Sequence, residues 1–159
     1  MFIPATGDNS DVANSYVDVA YADAYHDLRG NALWAGSDAV KQAALVRATD
    51  YLEQGYVGRF IGIQLTVPGL SWPRYVMPHN IDGIPENLKK ATCELALEAF
   101  SKPLNPVTGG DRAVIREKVD VVEVEYSDKG IERTSRPAVV GYLSALISGS
   151  ALNRPVVRV

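Results

Sequence analysis

The stretch SDAVKQAALVRATDYLEQG, residues 37–55, decides the architecture. Ser37 stands where an N-cap belongs, and Gly55 stands where a helix ends. Between them Val40, Ala44, Ala48, Tyr51 and Leu52 recur at helical spacing and predict one apolar stripe. Three other segments repeat the pattern. In SYVDVAYADAYHDLRGN, residues 15–31, a short extended piece leads to Asp18 as cap. Tyr21, Ala24, Tyr25 and Leu28 then share a face, and Gly30 stops a helix spanning about 19–29, with His26 on its exposed side. Pro85 suits a helix start, and ENLKKATCELALEAFSK carries Leu88, Ala91, Leu95, Ala96, Ala99 and Phe100 on one side as far as about Ser101. Pro137 opens the last helix, with Val139, Val140, Leu143, Leu146 and Ile147. Four such stripes predict a mainly α fold, a small helical bundle in which each helix buries one face.

The rest of the chain is appendage. The first dozen residues are polar and unpatterned, so flexibility is expected there. From Tyr56 to Gly83 the helical period disappears into a long inter-helix loop broken by glycines and prolines. That loop holds LSWPRYVMP, residues 70–78, with Trp72 between two prolines and beside Arg74. Trp72 beside Arg74 has the chemistry to stack a nucleic-acid base. Pro73, Pro78, Leu70 and Ile84 around it favour a loop anchor made of Trp72, Pro73 and Arg74. After PLNPVTGGD the period becomes two: VVEVEY sends Val122, Val124 and Tyr126 one way and Glu123 and Glu125 the other. AVIREKV precedes it, and together they predict a short β-hairpin, or β-arm, over about 112–127 with a turn near Asp120. The expected organisation is a single domain over 1–159: a helical core of about 15–105 plus 136–148, the β-arm, and an extended C-terminal tail, 149–159. The tail ends in PVVRV, material suited to adding a strand to an exposed edge. Arg154, Pro155, Val156, Val157 and Arg158 are therefore the candidate docking residues.

Composition excludes several classes of function. The 159 residues are 47% hydrophobic with a formal net charge of −3, so no global basic field is available to hold nucleic acid. Charge is uneven: residues 1–40 carry six acids against Arg29 alone, whereas residues 133–159 carry four arginines and no acid. An acidic front and a basic end suit a chain that meets its own copies, or a partner, end to end. Cys93 is the only cysteine, which leaves no internal disulfide and no multi-cysteine zinc site. No membrane span and no signal peptide are legible, so a soluble cytoplasmic product is expected. His26 and His79 have no ligand-like spacing, GGD at Gly109 lacks the lysine of a phosphate loop, and no GxSxG elbow occurs. Cys93 reads as a buried thiol, and Glu94 and Glu98 as a mutually repelling pair on the solvent face of the third helix. No enzyme, metal or cofactor is expected, and function by contact is.

SYV followed by ADAYHDLRGNALW, then RATDYL, SWPR, IPENLKKATCELAL and EKVDVVEVEY, in that order over about Ser15 to Leu146, resembles a known family. It is that of the phage head-tail connector, or adaptor, proteins, also labelled DnaT-like single-stranded-DNA-binding proteins. The resemblance implies a structural neck protein that assembles as a homo-oligomeric ring, a dodecamer, beneath the portal protein. It implies further contact with a tail-side neck or stopper protein and passage of genome DNA through the channel. The location implied is the virion neck, and the host cytoplasm during assembly. The alternative implied by the label is a DnaT-like protein that binds single strands in replication. Single-strand binders need a basic groove with stacking platforms, and the acidic balance favours the ring subunit.

Overall fold

A computed structural model describes residues 1–76, 79–81, 83–105, 114–118, 123–126 and 136–148. The fold is mainly α. Helix α1 spans Val19–Asp27, α2 Asp38–Tyr56, α3 Glu86–Ser101 and α4 Pro137–Leu143. Helix α3 is central: it packs along α2 on one side and against α4 on another, with α1 touching both α2 and α3. Ala44 and Ala48 on α2, with Ala91, Ala96 and Ala99 on α3, are buried and small. Leu45, Leu52, Leu88, Leu95 and Leu143, all at 0% exposure, fill the spaces that these alanines leave.

Helices α1 and α4 start as their sequences dictate, whereas Ser37 precedes α2 without a side-chain cap bond and Pro85 stands one position before α3. Asp18 is the N-cap of α1 and accepts from the Tyr21 N–H at 2.6 Å. Pro137 takes the first turn of α4. Gly30, at φ +64°, turns the chain after α1. The buried faces differ from the expected stripes in two places. On α1, Ala22, Tyr25 and His26 face inward, while Leu28 is 86% exposed. The inward face is thus rotated by about one residue from the predicted one, because aromatic and imidazole rings rather than Leu28 fill the space beside α3. On α2, Val40 is exposed, Leu45 and Thr49 are buried, and the helix continues through Gly55 to Tyr56.

The long loop is partly ordered as sheet, which corrects the expectation of an element-free segment. A 3-10 turn, Val57–Arg59, succeeds α2. Strands β1, Ile63–Gln64, β2, Arg74–Val76, and β3, His79–Ile81, then form an antiparallel sheet in the order β1-β2-β3. Ile63 faces Tyr75, and Tyr75 faces Asn80. Strands of two or three residues are too short to print a period-two pattern, so they left no signal.

The N-terminal dozen is likewise ordered. Pro4 and Ser15 form a bridge, Ala5 N–H donates to the Ser15 carbonyl at 2.7 Å, and Asn14 Oδ1 accepts from Ile3 N–H at 2.9 Å. Ser10 is fully buried, and its carbonyl accepts from Leu70 N–H at 2.9 Å. Asparagine side chains stand in for a partner strand there, a device invisible to hydrophobic periodicity.

Strands β4, Val114–Lys118, and β5, Glu123–Tyr126, form the expected hairpin, with Lys118 opposite Glu123 and a register shift between Val114 and Arg116. The tail from residue 149, and with it Arg154, Pro155, Val156, Val157 and Arg158, lies outside the described residues.

Two glycines generate a prediction. Gly62 has φ +76°, and a Cβ there would sit 2.2 Å from the Tyr75 carbonyl oxygen. Gly55 lies within α2 with nothing within 4 Å of such a Cβ. In thermal denaturation Gly62→Ala should lower the melting temperature, with strain of the order of 1–3 kcal/mol. Gly55→Ala should raise it, by roughly 0.4–1 kcal/mol.

Candidate functional site

The SWPR stretch is built inward. Ser71, Trp72, Pro73 and Arg74 are all buried, Trp72 completely. The Trp72 ring meets Phe60 edge-on at 5.8 Å. Arg74, 7% exposed, donates from Nε to the Ile61 carbonyl at 2.7 Å and from Nη2 to Gly62 at 2.7 Å and Phe60 at 3.4 Å. Its Nη1 donates to the Ser71 carbonyl at 3.2 Å. No carboxylate among the described residues pairs with it. A guanidinium has five donors and no acceptor, so a ring of main-chain oxygens satisfies it while fixing the path of residues 60–62. Trp72 and Arg74 therefore face the protein, and neither is presented for stacking on a base.

Glu53 of α2 closes the same region. It accepts from the Tyr16 hydroxyl, from Ser71 Oγ at 2.7 Å and from Ser71 N–H at 3.3 Å. Burial, with the Glu53 charge beside it, pushes the Tyr16 hydroxyl well above its ordinary pKa, so Tyr16 stays a donor.

A second polar centre joins α2, α3 and α4. Arg136, just before α4, donates from Nε to Glu98 Oε2 at 2.6 Å and from Nη2 to Glu98 Oε1 at 3.0 Å, a bidentate pair. It also reaches the Tyr51 hydroxyl at 2.9 Å and the Leu104 carbonyl at 2.9 Å. Burial opposes ionisation of Glu98, but the hydrogen bonds from Arg136 and Lys102 hold its carboxyl below the usual range. Glu94, one turn earlier, accepts from the Tyr25 hydroxyl at 2.7 Å. The expectation of two acids on a solvent face is corrected: both are half-buried, and each bonds across to another element. Sequence periodicity could not show this, because the partners are 38 and 69 residues away.

His26 is also corrected, from exposed to 1% exposed. Its ring lies 4.5 Å from Trp34 and edge-on to Tyr25 at 5.2 Å, and its Nδ1 is 3.0 Å from Asn31 Nδ2. Trp34 continues to Phe100 at 4.8 Å and donates to Asp23 at 2.6 Å, where Lys41 also bonds. Trp34, which sequence reading did not single out, thus closes the α1–α2 turn. Burial lowers the pKa of His26 against the opposing charge of Glu94. Cys93 is fully buried in α3 and burial pushes its thiol up to about 12, which removes the thiolate that nucleophilic chemistry needs. No group of three or more His, Cys, Asp or Glu that could hold a metal occurs among the described residues. No helix among them is long and apolar enough to cross a membrane.

Among the described residues the outer surface is sparsely basic. Lys41, Lys89, Lys102 and Arg136 are engaged in ion pairs. Arg47 and Arg59 are exposed, with the Arg59 guanidinium 5.4 Å from the Tyr56 ring. Ile63, Leu65, Val67 and Tyr75 are exposed apolar groups on and beside the small sheet. Between α3 and α4 an open groove of about 460 Å³ is lined by Leu33, Glu94, Leu97, Arg136, Ala138 and Val139, among others.

The chain matches over residues 2–159 the family described as "Putative DnaT-like ssDNA binding protein", and it belongs to that family. The match agrees with the label carried by the family it resembles; nothing in it refers to a head-tail connector. No curated protein and no solved structure matches significantly.

Both the tryptophan anchor and the buried imidazole can be tested by stability measurements. Trp72→Ala should cost roughly 3–5 kcal/mol by emptying a fully enclosed site, and Trp72→Phe should cost less, as read by chemical denaturation. For the imidazole the test is pH. His26 is held neutral, so its folded pKa lies below the unfolded value of about 6.5. The stability it contributes is complete above that value and is lost as pH falls through the lowered folded pKa. Melting temperature should drop on acidification below neutrality, and His26→Phe should drop less over that same interval.

Proposed function

We propose that this member of the DnaT-like family works by contact with DNA rather than by catalysis, and that single-stranded DNA is its first ligand. The observation carrying this reading is the family match over residues 2–159. Surface chemistry sets the expected strength. Single-strand binding combines cations that track the phosphates with aromatic faces that stack on bases. Among the described residues Arg47, Arg59 and the exposed Tyr75 supply those groups. With a net charge of −3 and most other described cations engaged, few phosphates are neutralised, so affinity is weak and the salt slope shallow.

A second reading is favoured by a different observation, the acidic balance of residues 1–40 against the all-basic 133–159. It is the head-tail adaptor: a dodecameric ring beneath the portal protein, meeting a tail-side neck or stopper protein and letting genome DNA pass. Such a subunit needs complementary heterologous surfaces and gains nothing from tight phosphate binding, which would brake a sliding duplex.

Fluorescence anisotropy of a labelled oligonucleotide, over a salt series, separates the two. Expected is micromolar or weaker binding to single strands, relieved by salt and lowered further in Arg59→Ala and Tyr75→Ala. Absence of binding at low salt, together with rings in particle images, would move the conclusion to the adaptor. Binding indifferent to salt and to both substitutions would reject the single-strand reading on this surface.

A further inference from the structure

Residues 30–36, GNALWAG, join α1 to α2 as a short flap with a glycine at each end, where a hinge can absorb backbone rotation. Little of the flap belongs to the core. Leu33 is 77% exposed, as Leu28 just before it is at 86%, and Trp34 alone is buried. What holds the flap down converges on one residue. The Trp34 ring lies 4.5 Å from the His26 ring, the Asn31 N–H donates to the His26 carbonyl at 3.1 Å, and Asn31 Nδ2 stands 3.0 Å from His26 Nδ1.

These contacts fit a neutral imidazole. An amide Nδ2 is a donor, so the Nδ1 that it meets is an acceptor and the ring carries its hydrogen on Nε2. That Nε2 is buried and has no hydrogen-bond partner. Protonation adds a hydrogen to Nδ1, which sets donor against donor at Asn31 and charges a ring cut off from water. Turning the Asn31 amide over restores that one bond, yet the charged Nε2–H still finds no acceptor. Burial keeps the ring neutral against Glu94 and the Cys93 main chain of α3 and Asp23 of α1, which favour the cation, while Arg29 opposes it. Both acids are already engaged: Asp23 accepts from Trp34 and from Lys41 of α2, and Glu94 from the Tyr25 hydroxyl.

We propose that residues 30–36 are a proton-operated flap: neutral His26 holds Trp34 closed, and protonation of the ring releases the flap about Gly30 and Gly36 while the helices stay packed. Release adds Trp34 to the exposed Leu28 and Leu33 and uncovers the Phe100 ring, 4.8 Å from it in the closed form. The open flap returns His26 to its ordinary pKa of about 6.5, whereas the closed flap holds it lower, so acid drives opening. Between those two values each pH unit multiplies the open fraction by about ten. The flap rests on neither functional reading.

Amide hydrogen exchange on the full chain, corrected for the intrinsic rate at each pH, tests it. The Asn31 and Trp34 amides, which donate to the His26 and Asn31 carbonyls, should be less protected than those of Leu45 and Ala48 in α2. Their protection should fall by up to about tenfold per unit as pH drops below about 6.5, with the helical circular dichroism retained. In His26→Phe it should not respond to pH, and in His79→Gln it should respond as in the wild type. Should His26→Phe lose its helical signal, His26→Gln takes its place. Flap amides as protected as those of α2, flap protection indifferent to pH, or a response that survives the His26 variant or vanishes in His79→Gln would each overturn the proposal.

Discussion

A single half-buried carboxylate ties together the parts of this chain that carry no helical signal. Glu53, on the last turns of α2, receives the Tyr16 hydroxyl from the N-terminal segment and the Ser71 hydroxyl and N–H from the long loop. An anion placed there must be satisfied, because an unpaired buried charge costs far more than a made hydrogen bond contributes. The arrangement that satisfies it brings the N-terminal segment and the loop to the same end of α2. Once Ser71 is fixed, Trp72 has nowhere to go but inward against Phe60, and Arg74 falls among the carbonyls of residues 60–62. The loop is thus held at its middle by these buried groups as well as by its short sheet.

Arg136 plays the corresponding part at the other end of the bundle. α4 has seven helical residues, too few to hold itself by propensity. The bidentate grip on Glu98, with further bonds to Tyr51 and Leu104, attaches its start to α2, α3 and the segment after α3. The two polar centres divide the labour: Glu53 orders the chain on the N-terminal side of α3, and Arg136 orders the chain on its C-terminal side.

These centres also mark the limit of what was legible in the sequence. Four helices, Asp18 as cap, the position of Pro137 and the pairing of β4 with β5 could be read because each rests on local chemistry or short-range period. The buried state of His26 could not, since a histidine beside an aspartate and an arginine reads as surface until Trp34 and Asn31 are known to fold over it. The same holds for Glu94 and Glu98, whose i, i+4 spacing suggests repulsion on an exposed face, while Tyr25 and Arg136, distant in sequence, turn them inward. Trp72 differs, because prolines on either side and apolar neighbours were enough to suggest anchoring.

Burying the strongest recognition residues has a consequence for function. Tryptophan and arginine are the side chains that most often dominate binding surfaces. Here both tryptophans and Arg74 are taken into the interior, and Arg136 is committed to Glu98. The groups left outside among the described residues include Leu28, Leu33, Ile63, Leu65, Val67, Arg47 and Arg59, with Tyr75 an exposed aromatic. A surface of that kind suits broad, weak contacts repeated many times better than one tight anchor. Repetition of a modest contact, whether along a strand of DNA or around an assembly of copies, raises the effective affinity without any single strong site. The two functional readings therefore share one physical basis, and they differ only in which partner supplies the repeat.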